Sequence, residues 1–115
     1  MKVGYCVVNY SEKPLEEVVK MAAEHGYECV ELPCYVGNGQ LDAEDVLKNH
    51  KAKDIRKMVE NYGLTISSLS NHADSCLVMG PYSEGTDSIY KGTREEKIKF
   101  GTGTTTNESK TSHFI

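Results

Sequence analysis

Five residues with hydrogen-bonding side chains stand out by their positions in the chain: Asn9, Tyr10, Glu31, Asn71 and His72. Each lies at the end of a short apolar segment of the kind that forms a buried strand, or directly after one. In parallel α/β folds, ligand-binding groups are carried at the C-terminal ends of the strands. We therefore expect these five side chains to converge on one pocket.

Most of these positions also have a structural interpretation. His72 could contact a ligand hydroxyl or a metal from the outer side, because a near-neutral imidazole can donate or accept. Alternatively, it could anchor its own loop through backbone hydrogen bonds. Glu31 could accept a hydrogen bond from a ligand hydroxyl, or it could pair with a Lys or Arg of an adjacent unit. Asn9 and Tyr10 carry the weakest signal, since polar residues are common at strand ends.

The four cysteines, Cys6, Cys29, Cys34 and Cys76, are predicted to be reduced thiols, because the sequence begins with no export signal. A zinc site built from Cys29, Cys34, His72 and Cys76 is an alternative, but this spacing is not the usual form. The pair Gly37-x-Gly39 lacks the third glycine of a dinucleotide fingerprint. The sequence contains neither a phosphate-binding loop with its lysine nor a nucleophile elbow.

The elements that would position these groups are three strands, predicted over residues 3–8, 27–32 and 64–69. An amphipathic helix precedes each of the last two strands, and Gly26 and Gly63 end these helices in the C-cap manner. The apolar positions of the two helices are Leu15, Val18, Val19, Ala22 and Ala23 in the first, and Ile55, Met58, Val59 and Tyr62 in the second. The predicted order is β-α-β-α-β, which requires a parallel sheet with right-handed crossovers.

Polar residues mark further helix starts. Asp42, with Asp45 three residues later, predicts the N-terminus of a helical stretch that runs to about His50. Residues 71–92 are predicted to form a long, turn-rich loop, and loops of that length are usually functional. The capping pattern of Thr93 and Glu96 then begins a helix.

That helix is expected to stop at the glycine and threonine run that begins at Gly101. Residues 101–115 show no periodicity, and we expect an unstructured or aberrant tail. The predicted domain organisation is therefore one folded unit over residues 1–100, followed by this tail.

The net charge and the apolar segments limit the partners and the location that we expect for this protein. The chain has 115 residues with a formal charge of −4, and no basic run offsets that charge, so we expect no nucleic-acid partner. The apolar segment at residues 3–8 is too short for a signal peptide, and no segment approaches the roughly 20 apolar residues of a membrane span. We expect a cytoplasmic protein without a membrane partner.

Four segments resemble the N-terminal portion of sugar phosphate isomerases and epimerases of the xylose-isomerase-like TIM-barrel superfamily. They are KVGYCVVNY, GYECVEL, YGLTISSLSNHA and LVMGPYSEGTDSIYKGTREEKI. The last two are the more specific, since many barrels contain a segment like GYECVEL. The resemblance covers residues 1–100 and ends there. It implies an α/β fold, namely part of a (β/α)8 barrel comprising the first three parallel strands with their helices.

The resemblance also implies a chemistry. Family members hold a divalent metal such as Mn²⁺, Mg²⁺ or Co²⁺ through Glu, Asp, His and Glu side chains of later strands. Two carboxylates move a proton next to the carbonyl of a sugar or sugar phosphate, and the metal stabilises the enediolate. On this interpretation His72, Glu31, Asn71, Asn9 and Tyr10 form one wall of a substrate pocket.

A complete barrel needs about 250 residues, so we expect a coding sequence truncated or frameshifted near Phe100. This chain alone is then expected to lack catalytic residues, metal ligands and a cofactor, to be inactive, and to self-associate through exposed sheet edges. Two alternatives remain open. One is a small flavodoxin-like α/β binding module, and the other is a fragment of a barrel-fold DNA-repair endonuclease, which also carries a histidine after its third strand.

Overall fold

The computed structural model describes residues 1–71 and 75–103. Three strands form one sheet: β1 is Gly4–Cys6, β2 is Cys29–Pro33 and β3 is Thr65–Ser70. Both neighbouring pairs are parallel, and the strands lie in the order β1-β2-β3. The predicted β-α-β-α-β arrangement with a parallel sheet is thus confirmed, and the protein is a mixed α/β structure.

Helices connect and follow the strands. They are a 3₁₀ helix at Val7–Tyr10, α1 at Leu15–Glu24, α2 at Ala43–Lys48, α3 at Ala52–Asn61, α4 at Ser75–Met79, α5 at Glu84–Ile89 and α6 over residues 94–103. Among the described residues, no helix is long and apolar enough to cross a bilayer.

The hydrophobic core lies between one face of the sheet and the helices. Val30 and Leu32 of β2 are fully buried, and they belong to one cluster with Val18 and Val19 of α1 and Val59 of α3. Helices α1 and α3 also contact each other. Since side chains alternate along a strand, the other residues of β2 face away from this layer of helices.

Glycine ends the two longer connecting helices as predicted. Gly26 and Gly63 adopt left-handed backbone conformations, with φ of +82° and +78°. The next residue in each case donates its N–H back into the helix: Tyr27 to the Ala22 carbonyl at 3.1 Å and Leu64 to the Val59 carbonyl at 3.2 Å. This bonding satisfies the last carbonyls of the helix and turns the chain into the following strand.

The first strand is shorter than predicted. The apolar segment over residues 3–8 was expected to be extended throughout, but Val7 and Val8 belong to the 3₁₀ helix. The pairing of β1 with β2 ends at Cys6, opposite Glu31. The 3₁₀ turn then places Val7, which is fully buried, in the core. A short apolar run fits either conformation, so its periodicity could not separate them.

The prediction of a turn-rich loop over residues 71–92 is wrong for part of that segment, because α4 and α5 lie within it. In α5, the Ser83 N–H donates to the Thr86 side-chain oxygen at 2.9 Å, which is half of a capping box. Thr86 and Leu77 are buried. Helix α5 consists mainly of small polar residues and is stabilised by its cap and by the burial of Thr86, while α4 is a short apolar segment whose Leu77 is buried.

Helix α6 begins as predicted and ends later than predicted. The Thr93 N–H donates to the Glu96 carboxylate at 2.7 Å, and the Glu96 N–H donates to the Thr93 hydroxyl at 3.3 Å. The helix continues through Gly101, which is buried, to residue 103. Burial of this kind can override the low helix propensity of glycine. The rest of the predicted tail, residues 104–115, lies outside the described residues.

Candidate functional site

The face of the sheet opposite the helices carries a row of three polar side chains, one from each strand. Cys6 of β1 lies beside Glu31 of β2, and Glu31 lies beside Ser68 of β3. Residues in direct register on parallel strands point to the same face. Because Val30 and Leu32 point into the core, the row Cys6–Glu31–Ser68 faces away from it.

The Cys6 thiol contacts the carboxylate of this row. Its Sγ atom lies 3.6 Å from Glu31 Oε1, where the S–H can donate a weak hydrogen bond. Burial raises the pKa of the Cys6 thiol above its ordinary value, and the neighbouring Glu31 carboxylate raises it further. Both effects disfavour the thiolate, so Cys6 remains a neutral donor at physiological pH and is poorly suited to act as a nucleophile.

A β-bulge determines which residue of β3 lies beside Glu31. Val30 pairs with Ile66, but Glu31 pairs with Ser68, so Ser67 is the extra residue. The Ser67 hydroxyl donates to the Val30 carbonyl at 3.0 Å, which satisfies a backbone oxygen at the irregularity. Without the bulge, Ser67 would stand beside Glu31. Bulges re-aim side chains in this way, often next to functional sites.

Near the start of β1 and β2, the same face leaves little room for a side chain at Gly4. A Cβ atom on Gly4 would lie 2.9 Å from the Sγ of Cys29, the residue paired with Gly4. A larger residue at position 4 would therefore displace the Cys29 side chain, which is 7% exposed.

Glu31 and Asn71 both lie close to the positions predicted for them. Glu31 is the third of five residues in β2, so it lies inside the strand rather than at its end, and it is half-buried. Asn71 directly follows β3 and is also half-buried. His72, the fifth predicted site residue, lies outside the described residues.

Tyr10 lies on the other side of the sheet, so the structure does not bring all the predicted residues together. The Tyr10 ring stacks near Tyr5, with centroids 6.4 Å apart, and Tyr5 packs against the core on the helix side. Asn9 is exposed in the same 3₁₀ helix. The Gln40 side-chain amide donates to the Tyr10 carbonyl at 2.9 Å and fixes this segment to the loop that follows β2. The 3₁₀ turn after Cys6 is what separates Tyr10 from Glu31.

Sequence reasoning missed two members of the row. The sequence predicts only that Cys6 is a reduced thiol, and no pattern in it singles out Ser68. The alternation within β1 could have placed Cys6 opposite to the core-facing Tyr5. Ser68 could not have been found this way, because the bulge shifts the register by one residue.

The described residues do not form a metal centre. No group of three or more His, Cys, Asp or Glu side chains in residues 1–71 and 75–103 is arranged to hold a metal ion. Of the cysteines in the alternative zinc site, Cys29 and Cys34 are buried and Cys76 is exposed. What the row can do is exchange hydrogen bonds: Glu31 accepts, Cys6 donates, and Ser68 can do both.

The chain was compared with models of protein families and with curated protein sequences. No family model matches it, and no curated protein matches it.

Proposed function

We propose that this chain forms the first three strand–helix units of a xylose-isomerase-like barrel whose interior binds a sugar or sugar phosphate for isomerisation or epimerisation. In this proposal the row Cys6–Glu31–Ser68 is part of the interior wall. Glu31 accepts a hydrogen bond from a substrate hydroxyl, and Cys6 holds the carboxylate in place from the neighbouring strand. Asn71 extends the wall beyond β3, and His72 is a further proposed contact to the substrate, as the resemblance implies.

One observation supports the proposal above the others: the strands follow chain order in a parallel sheet, and α1 and α3 cover a single face. A barrel requires this arrangement, because each new strand is added on the same side and every helix lies outside. Its interior face then carries the polar residues that bind substrate. Glu31 lies on that face.

The strand order also favours this proposal over a flavodoxin-like module. In that fold the order is 2-1-3, with β1 in the centre and helices on both faces of the sheet. Here β2 is central, and α1 and α3 lie on the same face. The segment after β1, Val7 to Tyr10, also contains no glycine with which to approach a phosphate.

The described residues do not fit the divalent metal that the family uses, because they hold no cluster of ligands for it. As the resemblance implies, we assign the metal ligands and the acid–base pair to later strands of the barrel. The part proposed for this chain is to bind and orient the sugar.

Translation of the coding region downstream of codon 100, in all three frames, tests the proposal. We expect one frame to encode further strand–helix units, with Glu, Asp, His and Glu at the ends of later strands. Three frames without such units would contradict the proposal.

The role of Glu31 is tested in a polypeptide that joins these units to residues 1–100. We expect Glu31→Gln to lower kcat/KM for a ketose by about tenfold, since it weakens one charge-assisted hydrogen bond. Glu28→Gln is the matched control. The Glu28 carboxylate accepts from the Val3 N–H at 3.1 Å and lies before β2. Equal losses in the two variants would show that Glu31 has no special role.

A further inference from the structure

A pocket lies at the corner between α2 and α3, away from the row on the sheet. Its volume is about 300 Å³, and the described residues that line it are Val46, Leu47, His50, Ala52 and Lys53. This volume is at the lower end of those seen for small-molecule sites. Val46 and Ala52 also belong to the core cluster between the sheet and the helices, so the pocket opens on the helix side of the sheet.

The pocket combines an apolar floor with a basic rim. Val46 and Ala52 are 2% and 7% exposed and form the floor together with the half-buried Leu47. His50 and Lys53 are exposed at the rim. This basic rim occurs in a chain whose net charge is −4, so it is a local departure from the charge of the molecule. An apolar floor beside a fixed positive charge is complementary to a small amphiphilic anion.

The backbone conformation of His50 is a second, independent feature of this pocket. Helices α1, α2 and α3 end in the same hydrogen-bonding motif, and in α2 the Lys51 N–H donates to the Val46 carbonyl at 3.0 Å. The residue that must adopt the left-handed conformation is Gly26 in α1 and Gly63 in α3. In α2 it is His50, with φ of +53°.

Glycine adopts this conformation without the steric penalty that a side chain incurs. At this position of the motif, α2 carries a histidine, whereas α1 and α3 carry glycine. That histidine lines the pocket. Backbone strain of this kind is a reason to look for function at the strained residue.

We propose that the α2–α3 corner binds a small carboxylate with a short apolar chain or ring. The apolar part lies against Val46, Leu47 and Ala52, and the carboxylate lies between His50 and Lys53. This site is separate from the row Cys6–Glu31–Ser68, and the proposal does not depend on the proposed function.

Titration of the ¹⁵N-labelled chain with octanoate tests the proposal. We expect saturable amide shifts confined to residues 46–53. Octanol has the alkyl chain without the charge, and acetate has the charge with almost no alkyl chain. Both should therefore bind much more weakly than octanoate. Absence of saturable shifts with octanoate, or equal binding of octanol, would overturn the proposal.

Two variants separate binding from folding. Lys53→Glu should weaken octanoate binding by about fivefold or more, from the loss and reversal of one exposed charge. Lys20→Glu on α1 is the control, because Lys20 is also an exposed helical lysine, and it should leave binding unchanged. His50→Gly should raise the melting temperature, because it relieves the backbone strain, and should still weaken binding. Unchanged octanoate affinity in both Lys53→Glu and His50→Gly would overturn the proposal.

A membrane surface also presents alkyl chains next to anionic groups. Vesicles of phosphatidylcholine with phosphatidylglycerol should cause no shifts at residues 46–53. Vesicle binding through these residues without octanoate binding would assign the corner to a lipid surface and overturn the assignment to a free carboxylate.

Discussion

At the scale of single residues, the contact between Cys6 and Glu31 couples two groups on neighbouring strands. Burial is the larger cause of the raised pKa of the Cys6 thiol, and the Glu31 carboxylate adds to it. A negative charge next to the thiol disfavours the thiolate, so the thiol loses its proton only at higher pH. The reactivity of Cys6 therefore reports on the charge of the proposed substrate wall.

We predict that Glu31→Gln lowers the pKa of Cys6, because it removes the negative charge that disfavours the thiolate. The measurement is the rate of Cys6 alkylation against pH, followed by mass spectrometry of the peptide that contains Cys6. At a fixed pH near neutrality, the variant should react faster than the unmodified chain. Glu28→Gln should leave the alkylation profile of Cys6 unchanged, and an unchanged profile in Glu31→Gln would show that the two groups are not coupled.

At the scale of secondary structure, the glycines that end α1 and α3 are required by their backbone conformation. Gly63 has φ of +78°, and a Cβ at this position would meet nothing within 4 Å. The cost of a side chain there is therefore conformational rather than steric contact with other elements. Gly39 has equally open space around it, without a left-handed backbone conformation.

We predict that Gly63→Ala lowers the free energy of unfolding by about 1 kcal/mol. Gly39→Ala should change it by less than about 0.5 kcal/mol, since no strained conformation is involved. Urea denaturation followed by circular dichroism measures both values. If the two variants lost the same stability, the conformation of Gly63 would not be the reason that glycine is present.

The parts of these elements that could be predicted are those with local causes. Glycine C-caps, the Thr93–Glu96 capping box and the apolar faces of α1 and α3 are encoded within a few residues of one another. The Asp42 cap is also local: its side chain accepts from the Asp45 N–H at 3.0 Å, as expected. Helices α4 and α5 are only five and six residues long, too short to show a clear helical period. Helix α5 is also polar, and the burial of its Thr86 follows from tertiary packing rather than from a sequence pattern.

The candidate site could be predicted less well than the fold because it depends on register. Placing Glu31 near the end of the second strand required only a hydrophobic pattern. Pairing it with Cys6 and Ser68 required the alignment of three strands, including a bulge between Val30 and Glu31. The 3₁₀ turn that directs Tyr10 to the helix side depends on where strand pairing ends. Such non-local effects are not visible in one strand at a time.

At the scale of the whole molecule, three parallel strands form an open sheet. Within the described residues, β1 and β3 each pair only with β2, so each has one unpaired edge. Unpaired edges favour association with another strand. In a barrel, further strands cover both edges, and the face that carries Glu31 becomes the interior. Self-association of the isolated chain stays a prediction.

We propose that these units bind and orient a sugar but cannot transform it without groups from other strands. The most direct test incubates the purified 115-residue chain with Mn²⁺ and a panel of ketoses, and measures the formation of isomers and epimers. We expect no conversion above that of the buffer control with Mn²⁺. Enzymatic turnover by the chain alone that Glu31→Gln abolishes would contradict it, because the catalytic groups would then lie within these residues.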